Sequence, residues 1–181
     1  MDAIAGNYSL GPDSGGRLVI KTSRAGLAAK AGHDLTIEVT KWSADITVPD
    51  GDLSGAKVTA ELDLGSLAVR EGTGGARPLT DSDRRDIEST MQKIISGTAS
   101  FSSTRIIPSG VGGAIEGTLT LNGKSQPVRL QVSTPTPGRY RGAATVVQSA
   151  FGIKPYSGLF GTLKLKDEVV AEFEITLPAP A

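Results

Sequence analysis

His33 is the only histidine in the chain, so any imidazole chemistry at neutral pH has to happen there, beside Asp34. The pair sits where the Ala31-Gly32 turn runs into an extended segment. Neighbouring strand residues point to opposite faces, so the two cannot act together as an acid–base dyad. A hydrogen-bonded residue at the end of a strand is the favoured reading. An acid/base role for His33 is the alternative. Asp50-Gly51-Asp52-Leu53-Ser54-Gly55, with Glu61 further on, has the ligand spacing of a calcium loop. Alternating segments flank it instead of helices, so a hairpin turn is expected and no metal site. Ser14-Gly15-Gly16-Arg17 precedes a strand rather than a helix, and without a helix N-terminus it is a turn, not a phosphate cradle. Arg84 and Arg85 stand at the start of a helical segment, where the helix dipole disfavours cations. That misfit makes them, with His33, candidates for contact with a polar head group. No nucleophile elbow, Walker loop, dinucleotide fingerprint or zinc-protease motif occurs, and there is no cysteine. No catalytic residue is assigned.

The elements that would position these groups are strands. Val58, Ala60, Leu62 and Leu64 alternate with Thr59, Glu61 and Asp63. Ile115 to Leu121 and Val169 to Leu177 repeat the pattern, giving each segment one apolar and one polar face. Further strands are expected at 17–22, 34–40, 98–107, 127–132, 139–148 and 159–166. Near Thr40-Lys41 the apolar set passes from odd numbers (Leu35, Ile37, Val39) to even ones (Trp42, Ala44, Ile46, Val48), which calls for a bulge or bend. Asn122-Gly123 is a strong two-residue hairpin signal. One segment, 80–96, has helical spacing in Ile87, Met91, Ile94 and Ile95, a cap at Thr80 or Asp81, and Gly97 at its end. Residues 71–76 before it read as a flexible loop, and 166–168 as the turn between the last two strands. Eight to ten strands suffice to close a barrel around one slender ligand.

Composition narrows the functions. The 181 residues are expected to form one domain over 1–181. Nineteen basic side chains balance 19 acidic ones, and no dense Lys/Arg run marks a nucleic-acid partner. No apolar run reaches the roughly 18 residues of a membrane span. The start, Met1 to Gly6, has no secretory pattern, so a soluble cytoplasmic protein is expected, or a periplasmic or secreted one if a leader was removed.

Gly117-Thr118-Leu119-Thr120-Leu121-Asn122-Gly123-Lys124-Ser125-Gln126-Pro127-Val128 resembles the YceI-like family, as do Ala150-Phe151-Gly152-Ile153 and Lys166-Asp167-Glu168-Val169 with its alternating terminal strand. The helix followed by 98–107 matches that family in order and spacing. Two departures are that no early histidine lies within 17–26 and that Gly97-Thr98 replaces a Tyr-Pro pair. The resemblance implies a mainly β fold, an antiparallel lipocalin-like β-barrel of about eight strands with one amphipathic α-helix. It also implies bacterial proteins that bind polyisoprenoids, so that a quinone tail or prenyl phosphate would thread the barrel, with no other cofactor. Ligand-binding candidates in the interior and at the mouth are Ile37, Val39, Trp42, Leu62, Leu64, Phe101, Leu119, Phe151, Tyr156, Phe160 and Phe173. Core packing is the default reading for the aromatics, with a lid over 151–161 as the alternative. The expected function is non-enzymatic binding or carriage of a long apolar ligand. A cyclase or isomerase on the same barrel using His33, and a stress-associated interaction protein, are the alternatives. Pairing of two barrels through a strand or the helix is left open.

Overall fold

The structure is a computed structural model and describes residues 3–158 and 163–179. In chain order the strands are β1 (Gly6–Leu10), β2 (Arg17–Lys21), β3 (Arg24–Ala25), β4 (Asp34–Val39), β5 (Trp42–Val48), β6 (Lys57–Asp63) and β7 (Leu67–Thr73). After helix α1 (Asp81–Ile94) follow β8 (Thr98–Ser109), β9 (Gly112–Leu121), β10 (Lys124–Thr136), β11 (Arg139–Val147), β12 (Ser157–Gly158), β13 (Leu163–Leu165) and β14 (Glu168–Thr176). Eleven of these form one antiparallel sheet in the order β1-β5-β6-β8-β9-β10-β11-β14-β2-β4-β7.

The count of eleven against the expected eight has a geometric cause. Three long strands are each broken once. Gly11 to Gly16 separates β1 from β2, Thr40-Lys41 separates β4 from β5, and a 3-10 turn (Leu64–Ser66) separates β6 from β7. The halves keep the same partners across each break: β1 pairs with β5 and β2 with β4, while β5 pairs with β6 and β4 with β7. Hydrogen bonds carry the pairing round the corner, from Asp63 N–H to the Lys41 carbonyl (2.9 Å) and from Thr40 N–H to the Ser66 carbonyl (3.1 Å). Counting each broken strand once leaves eight around the ring, and β14–β2 closes it. The class is a lipocalin-like β-barrel.

The same corner accounts for the slip in parity. Val39 and Trp42 are three residues apart and both face inward, because the two corner residues absorb the odd step. Leu64 and Leu67 repeat it on the partner strand. Gly16 is needed at this bend: a Cβ there would stand 2.7 Å from Cη2 of Trp42. Asn122 (φ +53°) and Gly123 (φ +72°) form the expected hairpin turn, with Leu121 opposite Lys124.

Helix α1 begins in a capping box. Thr80 Oγ1 accepts from Asp83 N–H (3.1 Å) and Asp83 Oδ2 accepts from Thr80 N–H (2.9 Å). Gly97 follows its end at φ +82°. Ile87 and Met91 pack on the cluster of Leu35, Ile37 and Val69. Val69 N–H donates to Glu88 Oε1 (2.9 Å), so a helix side chain satisfies a backbone donor of β7, which ends the order of paired strands. No helix among the described residues is long and apolar enough to cross a membrane.

Two sequence expectations change. Residues 71–73 belong to β7 and pair with 34–36, because cross-strand bonding to β4 overrides their poor apolar alternation. The strand expected over 159–166 is reduced, within the described residues, to Leu163–Leu165. It pairs with β12 and β3 in a separate three-stranded sheet rather than with β14. Asp167, at the expected turn, instead accepts from Ser149 N–H (2.8 Å).

Candidate ligand-binding site

The barrel interior contains two cavities. One, of about 220 Å³, is enclosed mainly by β5, β6, β8, β9, β10, β11 and β14. Its described walls are apolar or aromatic throughout, with Trp42, Ile46, Val58, Phe101, Leu130 and Phe173 prominent. The other, of about 460 Å³, lies toward α1 and is lined by Ile20, Leu35, Ile37, Val39, Leu64 and Met91, among others. Polar side chains also edge it: Thr22, Arg24, His33, Asp86, Thr90 and Gln148. Leu62, Leu119, Val146 and Ala171 line both, so the cavities adjoin within one lumen.

Room in the smaller cavity comes from two inward glycines. Added Cβ atoms at Gly117 and Gly142 would run into the rings of Phe101 and Phe173 respectively. The rings therefore lie back against neighbouring strands, and the space they would otherwise fill stays open. A space walled this way has no polar partners to hold water and suits an apolar occupant. The larger cavity falls within the roughly 300–1,000 Å³ usual for small-molecule sites.

The polar edge is tightly organised. The Arg24 guanidinium donates to the Gly32 carbonyl (2.5 Å) and lies 3.6 Å from Asp34 Oδ1, which accepts from Arg24 N–H (2.8 Å). His33 Nε2 is 2.7 Å from the Arg77 carbonyl oxygen. Gly74 and Gly75 (φ +73° and +75°) press the intervening loop onto this pair. A Cβ at Gly75 would stand 2.8 Å from His33 Nε2, and one at Gly74 would strike the Arg24 guanidinium. The loop and α1 thus cover the polar end.

Of the residues expected from sequence, Ile37, Val39, Leu64 and Tyr156 line the larger cavity, Trp42, Phe101 and Phe173 the smaller, and Leu62 and Leu119 both. His33 lines the larger one. Phe151 lines neither. It is 1 % exposed and packed with Leu64, Ala99, Leu121 and Ile153, which themselves line the larger cavity. Within 151–161, the segment weighed as a lid, Tyr156 lines the larger cavity, whereas Phe160 lies outside the described residues. Arg84 and Arg85 reach neither cavity. Arg84 pairs with Asp81 one turn back (2.9 Å), which offsets the unfavourable dipole position. Arg24 is the cation the sequence did not mark out, because β3 is too short to show a period.

Three carboxylates sit below their ordinary range, and none lines a cavity. Hydrogen bonds from the Ser54 hydroxyl and N–H lower Asp52, so the imagined calcium loop is a self-capped turn with Glu61 out along β6. Bonds from Thr80, its N–H first, lower Asp83, with help from Arg77. Bonds from Arg139 and then Arg141 lower Glu174 on the outer face. Among the described residues no group of three or more His, Asp or Glu side chains is placed to hold a metal ion.

Comparison with solved structures gives the same fold. BcnA from Burkholderia cenocepacia is 17% identical and superposes with a TM-score of 0.63 over 88% of this chain and 94% of that one. A polyisoprenoid binding domain from Saccharophagus degradans, implicated in plant cell wall breakdown, is 11% identical, with a TM-score of 0.55 over 98% of this chain and 100% of that one. No curated protein matches the sequence. The YceI-like domain matches residues 18–177, nearly the entire barrel with its helix and both cavity linings, and the chain belongs to that family.

Proposed function

We propose that this protein holds a long apolar molecule of the isoprenoid class, a quinone or a prenyl phosphate, and carries it without chemical change. The apolar chain occupies the 220 Å³ cavity, and the polar end stays among Arg24, His33 and Gln148 in the larger one. One observation carries the reading: an all-apolar cavity adjoins a larger one that polar side chains also line. Burying a hydrocarbon chain gains roughly 25 cal/mol per Å² of apolar surface, so such a lumen supplies affinity without a charged anchor. The isoprenoid class is supported by membership of the YceI-like family and by the fold shared with the Saccharophagus degradans domain.

Mass spectrometry of lipids extracted from natively purified protein tests this. An isoprenoid at near-stoichiometric amount is the expected result, and reproducible recovery of none overturns the reading. Replacing His33 with Ala separates carriage from turnover. Carriage predicts near-unchanged binding, because affinity comes from burial of the apolar chain and the imidazole is already engaged by the Arg77 carbonyl. Loss of a measurable conversion would favour the enzyme.

A further inference from the structure

Two segments of the chain carry basic side chains and no acidic one: 22–33 has Arg24 and Lys30, and 149–166 has Lys154, Lys164 and Lys166. The chain as a whole is neutral, so this is a local excess. The fold brings the two segments together, because β3 pairs with β13 and the 3-10 turn Ala29–Ala31 packs against β13. The carboxylates that follow each segment are already engaged, Asp34 by Arg24 and Asp167 by Ser149. All four lysines are exposed, and none lies within ion-pair distance of a carboxylate among the described residues. The same segments line the larger cavity through Arg24, His33, Ile153, Tyr156 and Leu165. Lys164 and Lys166, on either side of Leu165 in this extended run, point the other way. Between Arg24 and Lys30 the run Ala25-Gly26-Leu27-Ala28-Ala29 has no polar side chain, and Leu27 is 97% exposed. Uncompensated cations beside an exposed apolar side chain are the combination that adheres to anionic lipid.

We infer that this face docks on an anionic membrane surface, with the lysines over the lipid head groups and Leu27 in the interface. Lipid fits better than an acidic protein, since one protruding leucine among alanines offers no packed apolar centre for a protein interface. The inference concerns the outer surface and stands whatever the cavity holds. Its consequence for a carrier is that a wall of the larger cavity lies against the membrane, where an apolar molecule is dissolved.

Docking is read by co-sedimentation of ligand-free protein with vesicles of phosphatidylcholine, alone or with about one-third phosphatidylglycerol. Partition onto the anionic vesicles should be at least about tenfold the greater, and should collapse between about 0.05 M and about 0.5 M salt. Lys164→Glu with Lys166→Glu should cut it by at least about tenfold, and Leu27→Ser by roughly threefold. If the lysine pair variant does not melt cooperatively, Lys30→Glu with Lys154→Glu, outside the strands, takes its place. Lys57→Glu with Arg105→Glu makes the same change of net charge on β6 and β8, and should keep partition within about twofold of wild type. Equal loss in that control overturns the assignment of this face, and so does unchanged partition in a folded lysine variant. Wild-type protein that ignores anionic vesicles overturns membrane docking and leaves an acidic protein as the partner. Because no ligand is present, failure here leaves the carrier reading standing, and failure to recover a lipid leaves docking standing.

Discussion

Phe173 and Gly142 are direct partners across the β11–β14 ladder, and the aromatic ring lies over the position where a Cβ of residue 142 would stand. The missing side chain lets the ring fold back against its neighbour. Part of the room in the smaller cavity follows from this pair.

Gly142→Ala should therefore push the Phe173 ring into the 220 Å³ cavity. Overpacking of this kind typically costs about 1–3 kcal/mol. Long-chain ligand affinity should drop along with thermal stability. Adding Phe173→Leu should recover part of both. A Gly142→Ala protein with wild-type melting and wild-type titration curves would contradict the assignment.

Trp42 is the only tryptophan and lines the inner cavity. Its fluorescence therefore reports directly on occupancy. Entry of a prenyl alcohol should shift the emission to shorter wavelength as residual water is displaced, and a quinone should quench it. A ligand that leaves emission unchanged while binding stoichiometrically is not in that cavity. Trp42→Phe provides the blank.

The capping box at Thr80 and Asp83 anchors the first turn of the helix whose residues line the larger cavity. Thr80→Ala should cost about 1 kcal/mol, the usual loss for an N-cap. Because α1 residues line the larger cavity, the larger effect is expected on ligand dissociation, which should quicken. Stopped-flow release from wild type and variant measures it. Equal release rates would show that α1 does not gate the cavity.

Acid should weaken the fold in a defined window. Asp83 and Glu174 are both lowered in the folded protein, the first by Thr80 and the second by Arg139 and Arg141. The unfolded chain therefore takes up protons first as pH falls. Their contribution is complete above the ordinary Asp and Glu values, about 3.9 and 4.3, and disappears as pH drops through the lowered folded values. Melting temperature followed downward from about pH 6 should fall less steeply for Asp83→Asn with Glu174→Gln than for wild type. Parallel curves would assign the acid sensitivity to other groups.

Most of the barrel was readable before any coordinates. Alternation in 57–64, 115–121 and 169–177 marks inward residues directly, since a strand's side chains can take only two faces. The helix was legible for the same kind of reason, through its period and its Thr80 cap. Local rules reach no further than neighbouring residues, and the rest of the site depends on distant ones. The residues that line both cavities, Leu62, Leu119, Val146 and Ala171, come from four strands spread over more than a hundred positions, so no periodicity announces them. Phe151 has the type of a lining residue, yet packing buries it against Leu64, Ala99, Leu121 and Ile153, which line the larger cavity in its place. Arg24 reached the polar edge because β3 pairs with β13, a contact between segments far apart in the chain. Which side chains point inward is a property of each strand; where the two cavities meet is a property of how the strands close on one another.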